Sequence, residues 1–118
     1  MKRKLLYAIV IFFFLSVNSF AKNLKFTKII DLDKPWGSSF INNNELIISE
    51  KSGKIKIVNI ENSNTNEINH NLNFLEYGQG GLLDIIYKDG LVWISYTENR
   101  GNLKTSTSIA KGKFNRQK

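Results

Sequence analysis

Hydrophobic and polar positions beyond residue 21 alternate in short runs broken by turn residues, and no segment there carries a helical period. Residues 24–31 alternate weakly, and residues 36–41 form an apolar run closed by Asn42-Asn43-Asn44, a cluster that tolerates left-handed turn geometry. Residues 45–50 (ELIISE) and 54–60 (KIKIVNI) flank Lys51-Ser52-Gly53 and predict a hairpin, with Ile55 and Ile57 on one face and Lys54 and Lys56 on a solvated face. Residues 61–73 are polar and rich in asparagine, a loop interrupted by a short edge strand near residues 67–70. The runs 82–87 and 91–97 are separated by Lys88-Asp89-Gly90, and Asp-Gly between two apolar runs signals a hairpin. Leu91-Val92-Trp93-Ile94 is apolar on both faces, as for a strand packed between neighbouring sheets. A last strand covers residues 105–114.

The strands repeat as a unit. The series 36–41, 46–50, 54–60 matches 80–87, 91–98, 105–114, with corresponding points about 44 to 48 residues apart, near the period of a four-stranded propeller blade. The pattern therefore predicts an all-β chain of two successive blades, while evenly spaced strands with these turns also permit a small β-sandwich or open barrel.

Ahead of the strands lies a candidate leader. Lys2, Arg3 and Lys4 precede an apolar run from Leu5 to Leu15, and Ser19-Phe20-Ala21 places small residues where a signal peptidase reads them. That apolar run is shorter than the roughly 20 residues a membrane-crossing helix needs, so a permanent anchor is the weaker expectation. Residues 1–21 are read as a signal peptide and 22–118 as the exported domain. Three basic residues leave with the leader, so the formal charge of +7 falls to about +4. The exported part then lacks the concentrated basic stripe of a nucleic-acid binder. The chain has no cysteine, which removes disulfides, thiolate nucleophiles and cysteine metal sites.

The remaining chemistry gathers at Gly78-Gln79-Gly80-Gly81-Leu82-Leu83-Asp84. A dinucleotide loop needs a third glycine at position 83, which is leucine, and a helix where a strand-like run follows. The glycines do allow positive φ and close approach of a ligand, and the Gln79 amide offers both a donor and an acceptor, as a polyhydroxylated ligand would use. A tight turn into a strand, with Gln79 in solvent, is the plainer alternative.

Four segments in order carry a family resemblance: Leu32-Asp33-Lys34-Pro35-Trp36-Gly37-Ser38-Ser39-Phe40, then Leu46-Ile47-Ile48-Ser49-Glu50-Lys51-Ser52-Gly53-Lys54-Ile55, then the Gly-Gln-Gly-Gly-Leu-Leu-Asp segment, then Trp93-Ile94-Ser95-Tyr96. Together they resemble the N-terminal part of the glucose/sorbosone dehydrogenases, soluble quinoprotein aldose sugar dehydrogenases. The resemblance implies about two blades of a six-bladed β-propeller in the periplasm. It further implies pyrroloquinoline quinone (PQQ) and calcium as cofactors, an aldose oxidised at C1 to the lactone, and an electron acceptor as partner. In that family a histidine takes the hydroxyl proton as hydride moves to the quinone, and calcium and an arginine polarise the quinone carbonyl. The resemblance places Gln79 at the sugar and cofactor site, and gives Trp36, Glu50 and Asp84 blade-packing and turn-fixing roles.

The chain also departs from the family pattern. Tyr77 stands where many relatives have histidine, and Lys88-Asp89-Gly90 is shorter than the corresponding turn. The base histidine is expected beyond Lys118. His70, the only histidine, precedes the glutamine motif and is read as a solvated loop residue. The carboxylates lack the spacing of a calcium loop, so no metal ligand is assigned. Six blades need roughly 250 to 300 residues, so the chain is expected to be an inactive fragment of a longer enzyme. The alternatives are an exported, non-catalytic propeller that binds or scaffolds, and a complete small β-protein.

Overall fold

The computed structural model describes residues 22–115, so the candidate leader lies outside the described residues. Seven strands and no helix occur among them: β1 (Pro35–Asn42), β2 (Glu45–Glu50), β3 (Ile55–Asn59), β4 (Thr65–Ile68), β5 (Leu82–Lys88), β6 (Leu91–Asn99) and β7 (Thr105–Lys113). They form two antiparallel meanders, a four-stranded sheet in the order β1-β2-β3-β4 and a three-stranded sheet in the order β5-β6-β7. The predicted repeat is present as two blade-like sheets, with β5 packed across β1 and β2.

Register decides which side chains meet between the sheets. Ile47 lies opposite Ile57 and Ser49 opposite Ile55, so this face of the β2–β3 hairpin is apolar with one hydroxyl in it. It meets Leu82, Ile85 and Ile94 of the second sheet to form the buried core. Burial of such branched side chains stabilises by about 1.5–3 kcal/mol each and supplies most of the adhesion between sheets.

Polar ties cross the same boundary. The Ser49 hydroxyl accepts from Gly37 N at 3.1 Å and donates to the Leu83 carbonyl, while Ser39 Oγ accepts from Tyr87 N at 3.1 Å. Glycine at position 37 lets the backbones approach: a Cβ there would lie 2.7 Å from both Asp84 Cα and Ile85 N.

The turns explain much of the asparagine content. Asn42, Asn59, Asn62 and Asn99 each accept a backbone N–H two residues on, closing Asx turns at 2.9–3.0 Å. The turn expected at Asn42-Asn43-Asn44 is present and is closed by this side-chain bond, with Asn42 Nδ2 donating to Glu45 Oε2 at 2.6 Å and without positive φ. Asp89-Gly90 does take positive φ at both residues, 51° and 77°, as a two-residue hairpin turn requires.

Three expectations change. Residues 24–31 join no ladder, and Leu24 and Phe26 are exposed: weak alternation supplied no partner strand. Lys56 is not on a solvated face, because residues 29–34 run along that side of the first sheet, tied by Ser63 Oγ to Ile29 O and by Asp33 N to Glu50. Leu91 and Trp93 are only half-buried, because one sheet, not two, packs on β6 among the described residues.

Gly53, at φ 103°, touches the Phe74 ring so closely that a Cβ would sit 2.0 Å from its Cζ. Gly53→Ala is expected to destabilise the protein by about 2 kcal/mol, from a strained φ and a displaced ring. A urea-unfolding midpoint unchanged from wild type would contradict this.

Candidate functional site

The glycine motif is the seam between the sheets. Leu82 is fully buried in the core and anchors the start of β5. Upstream of it, Leu75 N donates to Thr97 O at 2.9 Å, Gly80 N to Tyr77 O at 2.8 Å, and Thr97 N to Gly81 O at 2.8 Å, so the segment folds back on β6 as a tight loop. Two glycines are required by contact. A Cβ on Gly80 would lie 2.7 Å from Thr97 Oγ1, and one on Gly81, whose φ is 147°, would lie 2.2 Å from the Lys51 carbonyl oxygen. Gly78, by contrast, has open space where its Cβ would stand.

Gln79 projects at the top of this loop. It is exposed and its amide makes no hydrogen bond among the described residues. It shares a shallow concavity with Trp36, Tyr77, Leu83, Thr97 and the hydroxyl row Thr105, Ser106 and Thr107. The Trp36 indole is 49% exposed, so it is not the blade-packing residue expected from sequence; it forms a wall of this concavity because β1 begins beside the loop. An indole face, a free amide and several hydroxyls can hold a flat or ring-shaped polar ligand by stacking and hydrogen bonding.

Electrostatic ties hold the loop from the first sheet. Lys34 Nζ donates to Glu76 Oε1 at 2.8 Å; that hydrogen bond holds the Glu76 carboxyl below its ordinary range and raises the Lys34 ammonium above its own. The Lys51 ammonium donates to the Gly78 carbonyl, and the Lys51 carbonyl accepts from Leu82 N at 3.3 Å. Beneath them Glu50 is fully buried, its Oε1 accepting from Lys56 Nζ at 2.8 Å and from Asp33 N at 2.9 Å. Asp84 is exposed and its Oδ1 accepts from its neighbour Ile85 N at 3.0 Å.

His70 is not the solvated residue expected. It is half-buried, with Nε2 2.6 Å from the Gly53 carbonyl, Nδ1 accepting from Leu72 N at 3.2 Å, and its ring tilted against Phe74. With both nitrogens engaged, it pins the loop before the motif to the β2–β3 turn.

Ser49 and Lys51, which no motif reading had assigned to the site, complete the frame. A signal for Ser49 was available: it falls on the same strand face as Ile47, where a lone hydroxyl has to find a partner.

The family model described as Glucose / Sorbosone dehydrogenase matches residues 32–118. The chain belongs to the glucose/sorbosone dehydrogenase family. Among solved structures it is similar to the apo-form of the soluble aldose sugar dehydrogenase from Escherichia coli, at 25% identity and a TM-score of 0.63, covering 70% of this chain and 25% of that one. The PQQ-bound aldose sugar dehydrogenase from Streptomyces coelicolor matches at 22% identity and a TM-score of 0.60, over 69% of this chain and 25% of that one. A glucose dehydrogenase matches at 23% and 0.67, over 74% of this chain and 27% of that one. A search of curated protein sequences returns no significant match. The chain thus spans about a quarter of the solved structures it matches, and its two sheets are blades of the N-terminal part of a β-propeller.

Measured against what the family implies, the segment fits part of a ligand site. The free Gln79 amide, the open side of Gly78 and the Trp36 face fit one edge of a quinone or a pyranose. Calcium finds no such fit: among the described residues no three His, Asp or Glu side chains come together; Glu50 Oε1 and Asp84 Oδ1 accept from protein donors, and the buried Glu50 Oε2, which has no hydrogen-bond partner, stands apart from any second carboxylate ligand set.

Proposed function

We propose that this chain is the N-terminal segment of a periplasmic quinoprotein that oxidises aldoses at C1 to lactones, passing electrons to an external acceptor. The observation that carries the proposal is the free amide of Gln79, held on a tight glycine loop beside Trp36 in a chain of the glucose/sorbosone dehydrogenase family. The leader pattern of residues 1–21 supports export.

PQQ, when bound, supplies the two-electron acceptor. The residues of this segment bind and orient. Gln79 would hold the ring, its amide able to donate to one sugar or quinone oxygen and accept from a hydroxyl, and the Trp36 indole would offer an apolar face beside it. Oxidation at C1 also needs a base for the hydroxyl proton. His70 does not serve, because both its nitrogens are committed within the fold; the family resemblance implies that a histidine of a later blade is the base. The segment by itself is therefore inactive.

The test is reconstitution of the complete polypeptide with PQQ and calcium, assayed by dye reduction across a panel of aldoses. Gln79→Ala is expected to lower kcat/KM by about tenfold or more, the loss of one to two hydrogen bonds to the bound ring. Wild-type protein that binds sugars without reducing dye would replace the enzyme with a non-catalytic propeller; a Gln79→Ala variant as active as wild type would remove Gln79 from the site.

A further inference from the structure

We infer that Lys51 is the positioning residue of the Gln79 loop, so that the ligand-facing edge of the second blade is set by a turn of the first. Three observations converge on it. Its ammonium donates to the carbonyl of Gly78, the residue directly before Gln79. Its own carbonyl accepts from Leu82 N at 3.3 Å, three residues after Gln79. Its side-chain stem also fills the space a Cβ at Gly81 would need, the two lying 2.7 Å apart. One residue thus grips the loop on both sides of the glutamine.

Lys51 is in turn held in place. Lys51 N donates to Lys34 O at 3.0 Å, and Gly53 N to Glu50 O at 2.9 Å, so the turn is fixed to the strand that carries the buried Glu50. Within the loop, Gly80 N donates to Tyr77 O, which closes a turn with Gly78 and Gln79 at its centre. Gly78 has positive φ and open space on its side-chain side, so little besides the Lys51 ammonium restrains its carbonyl. Loss of that donor frees the peptide joining Gly78 to Gln79, and with it the direction of the glutamine side chain.

The functional half of this inference rests on the sugar-dehydrogenase proposal; the structural half does not, and the experiment separates them. Amide hydrogen exchange is measured on the complete polypeptide as wild type, Lys51→Met and Lys51→Arg. Methionine keeps the stem and removes the charge, while arginine keeps a cationic donor. In Lys51→Met, exchange at the Gly80 amide, the N–H of residues 78–80 that donates within the fold, is expected to rise about tenfold with β5 unchanged, and Lys51→Arg to return most of the protection. Unchanged exchange at the Gly80 amide, or a rise shared equally by β5, overturns the positioning role. With PQQ, calcium and an aldose, Lys51→Met is expected to raise KM about fivefold or more while kcat changes less, because a misdirected Gln79 weakens ring binding. An unchanged KM in a protein whose loop has loosened overturns the functional half. A wild type that oxidises no aldose overturns the dehydrogenase proposal, while the exchange data still decide Lys51.

Discussion

Replacing Glu50 by alanine is expected to cost about 3–5 kcal/mol of stability, the range for removing one member of a buried ion pair. The carboxylate is completely shielded from solvent, and the Lys56 ammonium bonded to it is about one-fifth exposed. Without Glu50, Lys56 is left as a poorly hydrated charge between the first sheet and residues 29–34, and Asp33 N loses its acceptor. Asp33 and Lys34 then lose the attachment that brings Lys34 to Glu76, so the Gln79 loop loosens as well. Glu50→Gln keeps an acceptor for Asp33 N and removes only the charge, so a smaller loss is expected. Urea unfolding followed by tryptophan fluorescence measures both. A loss below about 1 kcal/mol for Glu50→Ala would mean that Lys56 reaches water easily and that the pair is ornamental.

Gly81→Ala is expected to cost about 3 kcal/mol or more and to open the seam between the blades. Two penalties coincide. A φ of 147° is one that residues with a Cβ rarely adopt, and the added methyl would stand 2.2 Å from the Lys51 carbonyl, a backbone atom whose position β2 and β3 fix. Relief requires the loop to move away from Lys51, which breaks the Leu82 N bond and lifts Leu82 from the core. Thermal unfolding reads the stability loss, and hydrogen exchange at residues 80–85 locates it. If the variant melts with wild type, the close approach of the two backbones is not a feature of the folded protein. Gly80→Ala makes a useful comparison, because its methyl meets side-chain atoms of Thr97 rather than backbone and its φ lies outside the left-handed region, so a smaller loss is expected there.

Most strands were legible in the chain because each rests on local chemistry. ELIISE became β2 with the limits predicted, Asp89-Gly90 turned between β5 and β6 as its dihedral freedom requires, and the short edge strand fell two residues ahead of its expected place. Each of those features is decided within about ten residues. Asn42, Asn59, Asn62 and Asn99 carried a local signal too, since an asparagine that closes its own turn needs no distant partner. The weak alternation of residues 24–31 misled for the opposite reason: a strand needs a neighbour to bond, and this segment joins no ladder, with Leu24 and Phe26 left exposed.

The site shows the same division. The family, the all-β repeat and the glutamine within its glycine motif are legible in the chain, because spacing and residue type carry these. Packing settled the rest: Trp36 faces the Gln79 concavity, His70 is locked into a loop, Glu50 and Lys56 are paired inside the first blade, and Lys51 grips the second. Those outcomes turn on pairs from 6 residues apart (Glu50 and Lys56) to 43 (Trp36 and Gln79) that a periodicity of two cannot register, and on which surface happens to cover a sheet face. Side-chain direction along a strand follows from the chain; what lies opposite it follows from the packing of one blade on the next.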